Sequence, residues 1–430
     1  MQALKKVLVI TYYWPPSGGS GVQRWLKFVK YLPSCGWTPV VYAPDGGEMP
    51  VEDHSLEKDI PPGTEIIRQP IWEPYELYKK WSGRKGEKVN TGFLSENKKP
   101  GLADKIAIWV RGNLFIPDAR RFWIKPSIRF LRQYLRDNPV DAIVTTGPPH
   151  SMHLIGRALK KHTGLPWIAD FRDPWTNIDF YQDLMLTRYA DRLHHKLERA
   201  VLTEADCVIS VGPTLGKELQ ALGAKRVEVI TNGYDEDDYP VSPSQPDAKF
   251  SIAHVGTMVK TRNPVALWKA LQQLITEQPA FASDLEIKLV GKVDLSVMAS
   301  IKEHGLTPYL RKIDYLPHEE AIIELTRSRL LLLVLNDTPN ARGILTGKFF
   351  EYLGAKRPVL CIGDPEGDVG KILANMGAEA MACLQDEANI KTFIQRLYVS
   401  RSTAVEINID LFSRRQLTRT LSQVIKEFTG

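Results

Sequence analysis

The first apolar run of the chain, Lys5–Ile10 (KKVLVI), is short and rich in β-formers, and it stops at YYWPPSGGSG. Behind that break Val22, Leu26, Val29 and Leu32 recur at helical spacing, and Pro39–Tyr42 (PVVY) is apolar again. The pattern predicts strand, loop, helix, strand, the opening of a doubly wound sheet. From about Asp45 to Arg136 the rhythm is lost; the stretch reads as irregular and charged, with a disordered or mobile tip around Trp81–Pro100. Alternation resumes with strands predicted at Ala142–Thr145, Trp167–Ala169, Cys207–Val211 and Val227–Ile230, and with helices near Met152–Lys161, Thr187–Thr203 and Pro213–Leu222.

Asn232–Lys249 (NGYDEDDYPVSPSQPDAK) is acidic and rich in Pro, Ser and Asp, the composition of a linker. A second alternating set follows, with strands predicted at Ser251–Val255, Glu286–Val290, Arg311–Tyr315, Leu330–Val334 and Pro358–Ile362, and helices such as Pro264–Ile275 and Lys348–Leu353 between them. A last helix, about Ser413–Phe428, comes after a break and is expected to cross back to the first domain. The expected organisation is α/β: a doubly wound domain over residues 1–235 with an irregular insertion at about 45–136, a linker over 236–249, a second such domain over 250–412 and a crossover helix over 413–430. Ligands of open parallel sheets bind beyond the carboxyl ends of the strands, so the site is expected in a cleft where the two domains face each other.

Length agrees, since 430 residues exceed one ordinary core. A hydrophobic content of 43% with 25% charged residues is that of a folded soluble protein and argues against disorder. Cys35, Cys207, Cys361 and Cys383 are far apart, with no CxxC and no histidine at ligand spacing, which points to buried thiols in a reducing compartment and to no metal site. The basic start and apolar run of MQALKKVLVITYYW have the order of a signal peptide, but the run is too short and leads into a Pro/Gly turn, so it is read as a strand. No stretch approaches the roughly 18 apolar residues of a membrane span. The net charge of +6 is uneven: residues 1–200 hold 30 Lys and Arg against 21 Asp and Glu, residues 201–430 hold 26 against 29. Within the basic half, Gly101–Arg136 interleaves eight cations and two acids with Trp109, Phe115, Phe122, Trp123 and Phe130. This mixture suits an anionic membrane surface better than nucleic acid, with a solvated helix whose aromatics turn inward as the plain alternative.

Four places carry chemistry. In Pro15–Gly21 (PPSGGSG), Gly18 and Gly19 let backbone amides approach an anion at a helix start; a merely tight turn is the alternative, and neither GxGxxG nor the P-loop pattern is present. Asp170–Trp175 (DFRDPW) places Asp170, Arg172, Asp173 and an aromatic wall at a strand exit, the groups a polyhydroxylated sugar needs, or else an Arg–Asp pair capping a turn. His254–Pro264 (HVGTMVKTRNP) sets Gly256, Lys260 and Arg262 between a strand and a helix, suited to a diphosphate or to solvent. Finally, the amides of Thr346, Gly347 and Lys348 open a helix whose Glu351 can accept two hydrogen bonds from a ribose diol.

In order along nearly the whole chain, PPSGGSGVQRWLKFVKYLPSCGW, ADFRDPW, ERAVLTEADCVISVG, VITNGYDEDDY, HVGTMVKTRNP, LVGKV, YLPHEEA and KFFEYLGAKRPVL resemble the glycosyltransferases of the GT-B fold, close to the family 4 retaining enzymes that use nucleotide-diphospho-sugars. The resemblance implies two Rossmann-like domains, Glu351 on the donor ribose, and Lys348, the Thr346–Gly347 amides and Arg262 or Lys260 on the diphosphate. It also implies Gly18 and Gly19 near the leaving group or acceptor, Asn232 at the floor and hinge of the cleft, and Arg172–Asp173 where many relatives carry His-Asp. The implied substrates are a UDP- or GDP-sugar and a lipid-linked or polysaccharide acceptor, with no cofactor and no metal; the implied place is the cytoplasm, including the inner face of the cytoplasmic membrane. Three positions depart from the family pattern: Gly343 stands where a first glutamate is common, Thr257 where an arginine is common, and Arg172 in place of the histidine. A subset of relatives without the first glutamate shares the K-x-x-E-Y helix of Lys348–Tyr352, so activity is still expected. The rivals are a nucleotide-sugar epimerase or hydrolase on the same fold, and a non-catalytic binding protein that kept the nucleotide pocket.

Overall fold

The computed structural model describes residues 4–49, 52–73, 102–240, 244–336, 338, 341–401 and 409–430. The tip expected at Trp81–Pro100 lies outside these. The chain divides into two units, Met1–Thr231 with Arg415–Gly430, and Asn232–Arg414.

The first unit is built on β1 (Lys5–Ile10), β2 (Trp37–Asp45), β3 (Glu65–Pro70), β4 (Ala142–Gly147), β5 (Trp167–Phe171), β6 (Cys207–Ser210) and β7 (Val227–Val229). They form one sheet in the order β3-β2-β1-β4-β5-β6-β7, every neighbouring pair parallel. Among the described residues six helices join them: α1 (Ser20–Tyr31), α2 (Leu102–Leu114), α3 (Arg121–Asp137), α4 (Ser151–Thr163), α5 (Arg188–Glu204) and α6 (Pro213–Ala221). A buried parallel strand is apolar on both faces because both are covered. In β1, Leu8 and Ile10 enter the core shared with Trp123 and Leu131, while Val7 and Val9 enter the opposite core with Trp25 and Trp37. Each such side chain, fully buried, contributes about 1.5–3 kcal/mol. The C-terminal helix Arg414–Thr429 returns to this second core through Leu417, Leu421, Val424 and Ile425, and Trp37 Nε1 donates to Ser422 Oγ at 3.2 Å.

The region from Asp45 to Arg136, expected to be irregular, proves regular in much of its described part: it holds β3, α2 and α3. In α3 the buried residues Trp123, Ser127, Leu131 and Leu135 recur every four positions, a helical stripe that the intervening cations and Pro126 obscure in the sequence.

The second unit repeats the plan with β8 (Phe250–Val255), β9 (Leu285–Val290), β10 (Leu310–Ile313), β11 (Leu330–Val334), β12 (Val359–Ile362) and β13 (Ala380–Cys383), ordered β10-β9-β8-β11-β12-β13 and again parallel. Its helices are α7 (Val265–Glu277), α8 (Pro279–Asp284), α9 (Leu295–Glu303), α10 (His318–Arg327), α11 (Gly347–Gly354), α12 (Asp368–Ala374) and α13 (Glu387–Ser400). The described residues of the expected linker group with this unit and pack on it: Tyr239 Oη donates to Glu351 O at 2.7 Å, and Asp247 accepts from the buried Lys288 amine at 2.6 Å. Both sheets reverse strand order once, between β1 and β4 and between β8 and β11. Loops leaving those strands diverge and open a crevice at the switch point.

Candidate functional site

In the second unit the switch point brings together the loop after β8 and the start of α11. Gly256 leaves β8 with φ 115°, its amide donates to Val290 O at 2.7 Å, and the Lys348 side chain lies directly over its Cα. A Cβ at Gly256 would occupy the space of the Lys348 amine and its adjoining carbon, so glycine is required both for the backbone angle and for this approach. Behind it Gly291, also at positive φ, lets the next loop touch Gly256: a Cβ there would meet the Gly256 carbonyl carbon and oxygen at 3.1 Å.

The Lys348 amine points to Thr257 O at 3.4 Å, and no carboxylate of the described residues pairs with it. Burial and then the neighbouring Arg262 guanidinium press its pKa down to about 8, with Glu351 pulling the other way. Arg262 donates from Nε to Asn336 Oδ1 at 2.6 Å, which fixes its guanidinium beside the lysine. His254, buried in β8 with Nδ1 2.9 Å from Leu332 O, is driven to about 3 by burial and by the Lys348 charge, so it stays neutral.

Thr346 precedes α11 with extended dihedrals but makes no side-chain cap, and a Cβ on Gly347 would meet nothing within 4 Å. The first amides of α11 are therefore presented without a blocking side chain, with the positive end of the helix dipole behind them. Glu351 is half-buried one turn further on; its carbonyl accepts from Tyr239 and its side chain is on the Lys348 face. Tyr352 anchors the helix: its hydroxyl accepts from Val255 N at 2.9 Å and donates to Leu332 O at 3.4 Å, tying α11 to the end of β8 and the middle of β11. Lys260 lies on the same loop and is exposed. The assembly is cationic, narrow and suited to phosphate oxygens.

In the first unit the corresponding loops follow β1 and β4. Gly18 is buried, whereas Gly19 is exposed at φ 92° and precedes α1. The close-approach glycine of PPSGGSG is Gly21, where a Cβ would meet Arg172 Nη1 and the Tyr13 ring at 3.2 Å. Arg172 leaves β5 and holds the two loops together, donating to Gly21 O at 3.2 Å and to Pro148 O, with its guanidinium 5.8 Å from the Tyr13 ring centre. Its Nε is enclosed and has no partner among the described residues. Asp173, next in sequence, is exposed and makes no hydrogen bond among the described residues.

Asp170 differs from its expected place after the strand. It lies within β5, is 0% exposed, and is surrounded by Arg24 (Nη2 to Oδ1 2.8 Å), Trp25 Nε1 (2.7 Å) and Thr146 Oγ1 (2.8 Å). Burial alone would raise this carboxyl; the Arg24 charge and the three donors outweigh it and hold the group below its usual range. Arg24 also donates to the carbonyls of Ile230 and Thr231. Asp170 is thus the centre of a buried node that fixes α1 and the chain leaving β7, and it offers no open oxygen to a ligand. Asn232 follows that chain as a half-buried residue at the start of the second unit.

The sequence reading passed over the exit of β4, Gly147–His153. His150 stacks on Trp175 with ring centroids 4.5 Å apart, and His153, its Nδ1 2.9 Å from Thr145 Oγ1, stacks on Phe171. Burial lowers the pKa of both, His153 to about 3. A Cβ at Gly147 would meet His153 Nε2 at 2.6 Å. GPPH between a strand and a helix was the available signal, as the same break marks the exit of β1.

Residues 100–233 match the family model of the glycosyl transferase 4-like domain. Over 99% of this chain and 95% of the other, the structure is similar to a sucrose-phosphate synthase from Thermosynechococcus elongatus, at 14% identity and a TM-score of 0.58. It is also similar to WaaG, a glycosyltransferase involved in lipopolysaccharide biosynthesis (12% identity, TM-score 0.54, 98% and 95% covered). The chain has the GT-B fold. A UDP-N-acetylglucosamine 2-epimerase from Listeria monocytogenes shares the fold at 12% identity and a TM-score of 0.56, covering 99% of this chain and 96% of its own. No curated protein sequence matches the chain. No helix among its described residues is long and apolar enough to cross a membrane.

Proposed function

We propose that the chain transfers a sugar from a UDP- or GDP-sugar to a lipid-linked or polysaccharide acceptor with retention at the anomeric carbon, in the assembly of cell-surface glycans on the cytoplasmic side of the membrane. The observation that carries the donor half is the Lys348 amine, folded over Gly256 beside Arg262 and paired with no carboxylate of the described residues, at the open N-terminus of α11. Two convergent cations and a helix end call for a dianion, and a sugar nucleotide brings a diphosphate. In this reading Lys348, Arg262, Lys260 and the Thr346–Gly347 amides bind that diphosphate, with Gly256 giving access. Glu351, one helical turn away, accepts from the ribose hydroxyls. The acceptor hydroxyl attacks the anomeric carbon as the bond to the diphosphate breaks; the departing phosphate oxygen takes the hydroxyl proton, and Lys348 and Arg262 stabilise the charge that develops on it.

Gly18, Gly19, Asn232 and Asp173 are assigned to the acceptor side, and Arg172 to positioning through the loops it bridges. The WaaG likeness favours a glycan acceptor built on lipid, and residues 101–136 are the candidate contact with the bilayer carrying it. The Listeria epimerase likeness supports a second reading, in which the nucleotide-sugar turns over without acceptor.

Thermal stability against UDP, GDP, ADP and their sugars, with Glu351→Ala alongside, tests the proposal. A selective upward shift that Glu351→Ala removes supports it and names the base. No shift for any nucleotide with the folded protein overturns the donor site, and release of free or epimerised sugar without acceptor favours the second reading.

A further inference from the structure

We infer that His150, at the exit of β4, donates a hydrogen bond from Nε2 to a hydroxyl oxygen of the sugar acceptor, and that His153 is the positioning residue that holds it in the tautomer able to do so. The inference rests on the proposed transfer reaction, which places an acceptor at the strand exits of the first unit.

The tautomer follows from the hydrogen bonds behind His153. Thr145 Oγ1 accepts from Trp167 Nε1, a group that can only donate, at 2.9 Å. The other partner of that hydroxyl among the described residues is His153 Nδ1, also at 2.9 Å. Thr145 is fully buried and its hydrogen needs an acceptor, so it goes to Nδ1, and the single proton of the neutral His153 ring is on Nε2. Gly156 of α4 makes the arrangement possible, since a Cβ there would fall on the Trp167 Nε1 atom.

His153 Nε2 is enclosed and has no partner among the described residues, and the same holds for His150 Nδ1. Both lie over Gly147: a Cβ on that glycine would be 2.6 Å from the first nitrogen and 3.2 Å from the second. Two buried polar atoms at one place are costly unless they satisfy each other. One internal water, accepting from His153 Nε2–H and donating to His150 Nδ1, does so. The His150 proton is then on Nε2.

That second nitrogen is the one left for a ligand. It makes no hydrogen bond among the described residues and, unlike Nδ1, it is not enclosed. The ring is held in its plane, stacked on Trp175 with centroids 4.5 Å apart and planes 4° from parallel, while Trp175 Nε1 donates to His194 Nδ1 at 3.1 Å. Burial keeps both rings neutral, and the Arg172 guanidinium adds to it. A neutral Nε2–H gives a hydroxyl oxygen a donor and gives its proton no lone pair. His150 therefore orients the acceptor and leaves the proton to the departing phosphate.

The full chain labelled with 15N-histidine is read by long-range proton–nitrogen correlation at pH 7, with His150→Gln and His153→Phe assigning the two rings. Both are expected in the neutral Nε2–H form, a readout that needs no variant to fold. In His153→Phe, which keeps a flat ring on Phe171 and removes the donor, the His150 nitrogens should move toward the averaged shifts of two exchanging tautomers. A wild-type His150 ring that is Nδ1–H or already averaged, or one unchanged by His153→Phe, overturns the inference. The acceptor side is probed with methyl glucoside, methyl galactoside, methyl mannoside and methyl N-acetylglucosaminide, without nucleotide. At least one should shift the His150 Nε2 resonance. Its affinity, measured on the glycoside's own proton signals, should fall about fivefold in His150→Ala and be retained in His150→Gln, whose amide N–H occupies nearly the same place. No shift with any of the four, or equal affinity in His150→Ala, overturns it. Nucleotide binding with no glycoside response at His150 removes this inference alone, whereas a glycoside response without nucleotide binding removes the transfer reaction and leaves His150 as a sugar ligand.

Discussion

Lys348 and Gly256 show how much of the proposed donor site rests on single atoms. Because the Lys348 pKa is pressed to about 8, its ammonium is partly lost just above neutral pH. Phosphate favours the ammonium, so affinity for a nucleoside diphosphate should fall as pH rises through about 8, by up to tenfold per unit. Calorimetric titration from pH 7 to 10 would show this, and Lys348→Arg should flatten the curve. Stability runs in the opposite direction: between the folded value near 8 and the ordinary value of 10.5 the unfolded chain binds the extra proton, so this group makes the protein more stable as pH rises across that window. Gly256→Ala should expel the Lys348 amine from its place and reduce nucleotide affinity on the order of tenfold, about 1.4 kcal/mol, measured in the same titration. That Lys348, Arg262 and Glu351 place charge after an apolar strand and at a helix start was legible in the sequence, because such positions are bounded by local apolar runs and breaks. Asp170 was legible as a charge but its enclosure was not, since nothing local announces that Arg24, some 146 residues away, will close around it.

At the scale of the element, α11 works because it is anchored as well as presented. Tyr352→Phe removes the acceptor for Val255 N and the donor to Leu332 O. The expected cost is about 1–3 kcal/mol of stability, with KM for the donor rising more than kcat falls, because the helix that carries Lys348 and Glu351 is loosened while the charges remain. Melting curves and initial rates would separate the two effects. The strands and α11 could be read in advance from short apolar runs bounded by Gly and Pro. Helices α2 and α3 could not, because their exposed faces carry aromatic and aliphatic groups that blur the contrast on which a periodicity reading depends. The resulting surface is part buried stripe and part exposed patch: Trp123 is 1% exposed and its neighbour Phe122 42%.

At the scale of the whole molecule, the C-terminal helix is part of the first unit's core. Leu421 is fully buried among β-strand side chains of that unit, so Leu421→Ala should cost about 2–5 kcal/mol and lower the first unit's transition on the order of 10 °C. Calorimetry in which the second unit's transition shifts equally would contradict this assignment. The sequence by itself determined the α/β class, the two doubly wound units and the residues bearing charge at strand exits, because these follow from the local alternation of apolar runs and breaks. Only the tertiary structure decided that Asp170 is enclosed, that Gly21 and the Gly147–His153 turn meet Arg172, that Lys348 lies over Gly256, and which aromatics of α2 and α3 remain outside. Each of those outcomes depends on which distant segments pack together, and side-chain chemistry alone carries no record of its neighbours.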